Sequence, residues 1–195
     1  MNKPQYDGNS IVNLMSTITQ RFGKNHSYPE LESLQSDDLE EYDNVILLVL
    51  DGLGWNWLKH RKESFLYDKM TSKMTSTFPP TTACANMTFF AGYPSQQTGL
   101  INWYFNAKET GSMIEILPFR SRHSKTPNSL KDDGFDVEDF ITVESLYEGF
   151  ETDVFHVGDE PIITSEISSY FLQDSTTVAS GGYEDVLEDV EKIEN

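Results

Sequence analysis

Asp51 and the pair Thr81-Thr82 are the residues of this chain best suited by type and spacing to bond-making chemistry. Asp51 follows six consecutive apolar residues, Val45-Ile46-Leu47-Leu48-Val49-Leu50, and opens the turn Asp51-Gly52-Leu53-Gly54. The threonines follow Phe78-Pro79-Pro80 and precede Ala83-Cys84-Ala85-Asn86-Met87. A carboxylate and a hydroxyl at one edge of a sheet can share a divalent metal, because both are hard oxygen donors. The metal would favour the threonine alkoxide, and an alkoxide can attack phosphorus in line. Free backbone N–H groups at the start of the following helix, from Ala83 onward, would hold the phosphoryl oxygens. Each residue also has an ordinary role: Asp51 can simply begin a turn, and a threonine at a helix start is a favoured N-cap.

The elements around these residues must bring them together. Val45 to Leu50 is apolar without alternation, the pattern of a parallel strand covered on both faces. Met74 to Phe78 reads as a short second strand ended by Pro79-Pro80, and Thr82 to Phe90 as a helix ended by Gly92-Tyr93-Pro94. Trp55 to Met70 reads as largely helical. From Asp51 to Thr82 is 82 − 51 = 31 residues, room for one helical crossover and a return strand. A right-handed crossover would make the two strand ends neighbours, at the carboxyl edge where functional groups of open parallel sheets gather.

The flanking sequence supports an α/β class. Ile11, Leu14, Met15, Ile18 and Phe22 repeat at helical spacing between a cap at Asn9 or Ser10 and a stop at Gly23. Ser36 to Asp43 is an acidic connector. Ile101 to Ala107 and Ser112 to Leu117 flank Lys108-Glu109-Thr110-Gly111 and predict a β-hairpin. Pro118 to Asp139 is mostly loop. Helices are expected over Thr142 to Phe150, Ser165 to Leu172 and Tyr183 to Ile193, and strands over Asp153 to Val157 and Thr176 to Ala179. Strands alternating with helices predict one α/β domain over residues 1–195, with a mainly parallel sheet flanked by helices.

Composition sets limits. The chain has 195 residues, enough for one domain with its own core, and its 12 Phe, 9 Tyr and 3 Trp exclude a disordered chain. Its net charge of −18 argues against nucleic acid and membranes as partners, since both carry negative charge. The acidity is uneven: from Asp132 onward Lys192 is the sole Lys or Arg. Cys84 is the single cysteine, so no intrachain disulfide forms. The first residues lack the apolar run of a signal peptide, and no apolar stretch reaches the roughly 20 residues needed to cross a bilayer, so a cytoplasmic protein is expected.

Four stretches together resemble the type I phosphodiesterase/nucleotide pyrophosphatase family of the alkaline phosphatase superfamily. They are Asp51-Gly52-Leu53-Gly54, Thr77-Phe78-Pro79-Pro80-Thr81-Thr82-Ala83, Ala91-Gly92-Tyr93-Pro94 and Thr98-Gly99-Leu100. The segment from Gly99 to Phe105 is similar to the family as well, and the likeness continues more weakly to the C-terminus. The resemblance implies an alkaline-phosphatase-like core and a hydrolase of phosphodiester or pyrophosphate bonds acting through a phosphothreonine. It implies that Asp51 and Thr82 share one metal, that Thr82 is the nucleophile with Thr81 the alternative, and that the complete enzyme holds two zinc ions. Thr82 is preferred because Gly92 lies ten residues on (92 − 82 = 10). Asn102 falls at about the family's phosphate-binding asparagine; its ordinary role would be a polar residue on a hairpin edge. The implied substrates are phosphate esters or nucleotides.

Two departures qualify the likeness. Thr98 stands where the family often has histidine, and the family's Asp-x-x-x-His segment, Asp-His pair and further histidine have no counterpart. His26, His60, His123 and His156 read as structural or surface residues. Cys84 does not fit the Cys/Ser-x-Pro-x-Arg motif of sulfatases and reads as a small buried helix residue. The sequence therefore reads as the N-terminal half of such a catalytic domain, with an incomplete metal site, an incomplete sheet prone to self-association, and negligible turnover on its own. The alternative is a non-catalytic α/β module that binds phosphate or a protein through the same strand ends.

Overall fold

Ser10, in extended backbone at φ −146°, starts the first helix, α1 (Ile11–Arg21), in a computed structural model that describes residues 3–194. The chain divides into two compact units, Met1–Thr77 and Phe78–Asn195.

In the first unit, α1 is where the sequence places it, but its buried face is different. Of the expected apolar stripe, Met15 is fully buried, whereas Ile11, Leu14, Ile18 and Phe22 are half-buried. Buried beside Val12 and Met15 are Asn13, Ser16, Thr17 and Thr19. Asn13, Ser16 and Thr17 serve carbonyls of the segments that flank α1, and a buried carbonyl needs a donor, while Thr19 Oγ1 donates to the Met15 carbonyl within the helix at 2.5 Å. Asn13 Nδ2 donates to the Tyr6 and Pro29 carbonyls at 2.8 Å each. Ser16 Oγ donates to the Tyr28 carbonyl at 2.7 Å. Thr17 Oγ1 donates to the Leu34 carbonyl and accepts the Leu31 N–H, both at 2.9 Å. Asn13→Ala strands two carbonyls and should destabilise this unit by about 2 kcal/mol, read as a lower urea midpoint.

The expected buried strand Val45–Leu50 is not formed. The segment has no regular structure, and Ile46 to Leu50 are exposed. The second expected strand, Met74–Phe78, is also absent. Thr75 makes one isolated parallel bridge with Ser10, its N–H donating to the Asn9 carbonyl and its carbonyl accepting the Ile11 N–H, both at 3.0 Å. The backbone N–H and carbonyl of Thr75 are thus paired with Asn9 and with the first residue of α1. Trp55 to Met70 forms two short helices, α2 (Trp55–Leu58) and α3 (Phe65–Asp68). The Ser64 side chain caps α3 by accepting the Tyr67 N–H at 3.2 Å, and the Trp55 and Tyr67 rings stack 6.4 Å apart.

The second unit begins with α4 (Thr82–Ala91) and α5 (Ser95–Thr98). The hairpin follows: β1 (Tyr104–Ala107) runs antiparallel to β2 (Ser112–Glu115), with β3 (Arg120–Ser121) on its other side. This register sets Glu115 opposite both Tyr104 and Arg120. Burial pushes the Glu115 carboxyl up, but hydrogen bonds from Arg120 and Tyr104 outweigh it and hold the group below its ordinary value. Helix α6 (Ser129–Asp132) interrupts the expected loop.

No helix spans Thr142 to Phe150. The Leu146 N–H donates to the Phe90 carbonyl at 2.9 Å and Tyr147 Oη to the Phe89 carbonyl at 2.8 Å. These donors satisfy the last turn of α4, whose carbonyls have no partner within the helix, rather than a helix of their own. Beyond it, β4 (Phe155–Asp159), α7 (Glu160–Ile163), α8 (Glu166–Phe171) and β5 (Thr176–Ser180) make a parallel βαβ unit with Val157 opposite Val178. The last helix is α9 (Tyr183–Glu194). The α/β class holds. The mainly parallel sheet does not: among the described residues the parallel sheet has two strands and the larger, three-stranded sheet is antiparallel. Without Val45–Leu50 and Met74–Phe78 as strands, the crossover logic has nothing to build on. No helix among the described residues is long and apolar enough to cross a membrane.

Candidate functional site

Asp51 lies in the first unit, while Thr82, Ala83 and Asn102 lie in the second. Asp51 is exposed, and its Oδ1 accepts the Gly52 N–H at 2.8 Å. Gly52 has φ +74°, a left-handed conformation that a side chain would strain. The carboxylate is therefore presented by a tight turn rather than by the end of a strand.

The start of α4 separates the two threonines. Thr81 has φ −111° and ψ 154°, its Oγ1 accepts the Cys84 N–H at 3.4 Å, and its carbonyl accepts the Ala85 N–H at 3.0 Å. It is the N-cap, and Thr82 holds the first helical position, half-buried. The Ala83 side chain is fully buried, and its N–H has no acceptor among the described residues. A helix start of this kind carries partial positive charge and suits an anion. The sequence offers Thr82 as the N-cap; the structure gives that place to Thr81, one residue earlier.

The rest of α4 is anchored so that this end stays placed. Cys84, 1% exposed as the sequence suggests, donates through Sγ to the Leu100 carbonyl at 3.3 Å. Thr88 Oγ1 is shared between the Cys84 and Tyr93 carbonyls, each at 3.1 Å. Gly92 closes the helix at φ +76°, its N–H donating to the Thr88 carbonyl at 2.8 Å. Phe90 stacks on Phe171 of α8 at 6.2 Å.

Asn102 is exposed just ahead of β1. Its Oδ1 accepts the Trp103 N–H at 2.8 Å, and its NH₂ group makes no hydrogen bond among the described residues. Thr98, in place of the family's histidine, is 3% exposed and accepts the Leu100 N–H at 3.3 Å. His60 and His123 are exposed. His156 on β4 is half-buried against the rings of Tyr147, 4.6 Å away, and Phe90, 6.3 Å away.

Among the described residues no group of three or more His, Cys, Asp or Glu side chains is placed to hold a metal. By donor type the Asp51 carboxylate and a threonine hydroxyl are each oxygen ligands suited to a divalent ion, and zinc takes about four ligands. Zinc titrated into the 195-residue chain should therefore bind weakly by calorimetry. Tight stoichiometric binding would show that further ligands assemble around these two.

Residues 45–190 match the model of the type I phosphodiesterase/nucleotide pyrophosphatase family, and the chain belongs to that family. Membership implies hydrolysis of phosphodiester or pyrophosphate bonds in phosphate-ester or nucleotide substrates, by a family that is generally metal-dependent. No curated protein and no solved structure matches the chain.

Proposed function

We propose that this chain carries the nucleophile of a metal-dependent hydrolase that cleaves phosphodiester or pyrophosphate bonds through a phosphothreonine on Thr82. The observation that carries the reading is the division of labour at the start of α4. Thr81 is spent as the N-cap, and Thr82 shares the positive end of the helix with the unclaimed Ala83 N–H. Thr82 Oγ attacks phosphorus as its proton leaves, and the bond to the leaving oxygen breaks. The Ala83 N–H and the helix dipole stabilise the negative oxygens that the transition state spreads around phosphorus. Water then attacks the phosphothreonine, releasing phosphate monoester and restoring the hydroxyl. The Asn102 NH₂ group is a further donor to a phosphoryl oxygen.

Asp51 and Thr82 are the proposed metal ligands, with zinc the metal and two ions in the complete site. A divalent ion there would lower the cost of the alkoxide and offset phosphate charge, which matters in a chain of net charge −18. The 195 residues belong, on this reading, to one catalytic domain with an alkaline-phosphatase-like core. The test is mass spectrometry after acid quench during turnover of a chromogenic phosphodiester. A phosphoryl group still esterified to the substrate's retained alcohol is expected on Thr82; the same adduct on Thr81 would move the nucleophile. Phosphate binding with no labelled threonine would favour a binding module without turnover.

A further inference from the structure

The hairpin that follows Asn102 carries positive charge that the chemistry above does not use. Over residues 78–131 five Lys or Arg stand against two Asp or Glu, in a chain whose net charge is −18. The register puts Tyr104, Glu115 and Arg120 side by side on one face of the three-stranded sheet. Glu115 is 8% exposed and takes hydrogen bonds from both neighbours, Arg120 Nε and the Tyr104 hydroxyl. A buried carboxylate thus holds the Tyr104 ring in place, while that residue stays 40% exposed. The Arg122 guanidinium lies 4.8 Å from the centre of the ring. Arg120 is engaged by Glu115 and by the Lys125 carbonyl at 3.4 Å. Arg122 is not engaged in this way. Its Nη1 meets the Met113 sulfur at 3.1 Å, and its Nε–H and Nη2 make no hydrogen bond among the described residues. A face with two guanidinium groups is costly to bury under other parts of a domain.

The place of this face relative to the proposed nucleophile follows from the chain. Cys84, two residues after Thr82, donates through Sγ to the Leu100 carbonyl at 3.3 Å. Asn102 is two residues beyond Leu100, and Tyr104 two beyond Asn102. Two residues span at most about 7 Å, so a molecule held by its phosphoryl group at Asn102 needs only a few further bonds to reach Tyr104. A guanidinium held on an aromatic ring, with donors still unclaimed, suits a carboxylate or phosphate, which accepts two parallel N–H bonds. We infer that Arg122, held over Tyr104, binds a carboxylate or phosphate group that the substrate carries beyond its scissile phosphorus. The inference rests on the reading of Thr82 and Asn102 as the phosphoryl site. It narrows the substrate to phosphodiesters or pyrophosphates that bear a further acidic group. Glu115 is a positioning residue, acting through Tyr104.

A matched pair of phosphonates titrated into the 195-residue chain tests this, followed by the NMR signals of the Ala83 N–H and the Arg122 Nε–H. The pair is hexylphosphonate and phosphonohexanoate, which bears a carboxylate at the far end of its alkyl chain. Phosphonohexanoate should move both signals with one dissociation constant and bind about fivefold tighter than hexylphosphonate. Arg122→Ala should remove that difference. Arg122→Lys should remove most of it, because an ammonium keeps the charge but not the fork. Lys108→Ala, at the hairpin turn, should leave it unchanged. The inference falls if the two phosphonates bind alike while the Ala83 N–H still moves, a result that leaves the phosphoryl site standing. It falls as well if Arg122→Ala preserves the difference, or if Lys108→Ala erases it, which would mean bulk charge. Movement of the Arg122 Nε–H by phosphonohexanoate alone, with the Ala83 N–H still, would support the oxyanion site and overturn the reading of Thr82.

Discussion

Thr82→Ala should lower phosphodiester hydrolysis by at least about a thousandfold, because on the proposed reading it removes the hydroxyl that forms the covalent intermediate. The fold should survive the change. Thr82 is half-buried at the first helical position, and the capping bond comes from Thr81. Thr81→Ala should do the opposite. It removes the oxygen that accepts the Cys84 N–H and should destabilise by about 1 kcal/mol, while the turnover number stays within a few-fold. The pair therefore separates nucleophile from cap. If Thr81→Ala abolishes turnover and Thr82→Ala does not, the roles are exchanged. Thr82→Ser keeps a hydroxyl on the same atom and should retain part of the activity; a Ser variant as inactive as Ala would argue that the residue acts through packing.

How much of this was legible in the sequence depends on where each segment finds its partners. The helix at Thr82 was readable because its stop is encoded locally, by a glycine at φ +76° that a side chain would resist. The hairpin was readable because Lys108 to Gly111 is a turn flanked by strand-forming residues. The βαβ unit from Phe155 to Ser180 was readable because Ser165 caps α8 within a short crossover. Val45–Leu50 was misread, since an apolar run reports that a segment wants covering but not that a neighbouring strand exists to cover it. Leu146 and Tyr147 were misread for a related reason: their helical pattern was overridden by two unsatisfied carbonyls of α4, a demand that lies more than fifty residues upstream. The face of α1 was misread because hydrophobicity alone ignores that Asn13, Ser16 and Thr17 can be buried when loop carbonyls accept from them. At the site, the Asp51 turn and the start of α4 were legible as local features. Which of Thr81 and Thr82 caps the helix was not, because that depends on one side-chain hydrogen bond.

The same end-on packing of α4 makes the fold sensitive to acid through His156. Burial pushes its imidazole down to about 4 from the ordinary 6.5, and its Nε2 has no hydrogen-bond partner among the described residues. Its aromatic neighbour Tyr147 offers no compensating charge, because burial pushes that phenol well above its ordinary value and keeps it neutral. The unfolded chain therefore binds a proton between pH 6.5 and about 4 that the folded chain refuses. The stability concerned is fully present above pH 6.5 and is lost as pH falls towards 4. By linkage the loss is about 2 kcal/mol at pH 5 and about 3 kcal/mol near pH 4. His156→Phe keeps an aromatic ring between Tyr147 and Phe90 and removes the proton. The urea midpoint of the natural chain should fall relative to that of His156→Phe as pH drops from 7.5 to 5, while the two run level above pH 7. Glu115 titrates in both proteins, and acid relieves the repulsion of the −18 charge in both, so the difference between them isolates the imidazole. Parallel pH profiles, or an imidazole that titrates near 6.5 by NMR in the folded chain, would show that water reaches His156 and that β4 does not close over the end of α4.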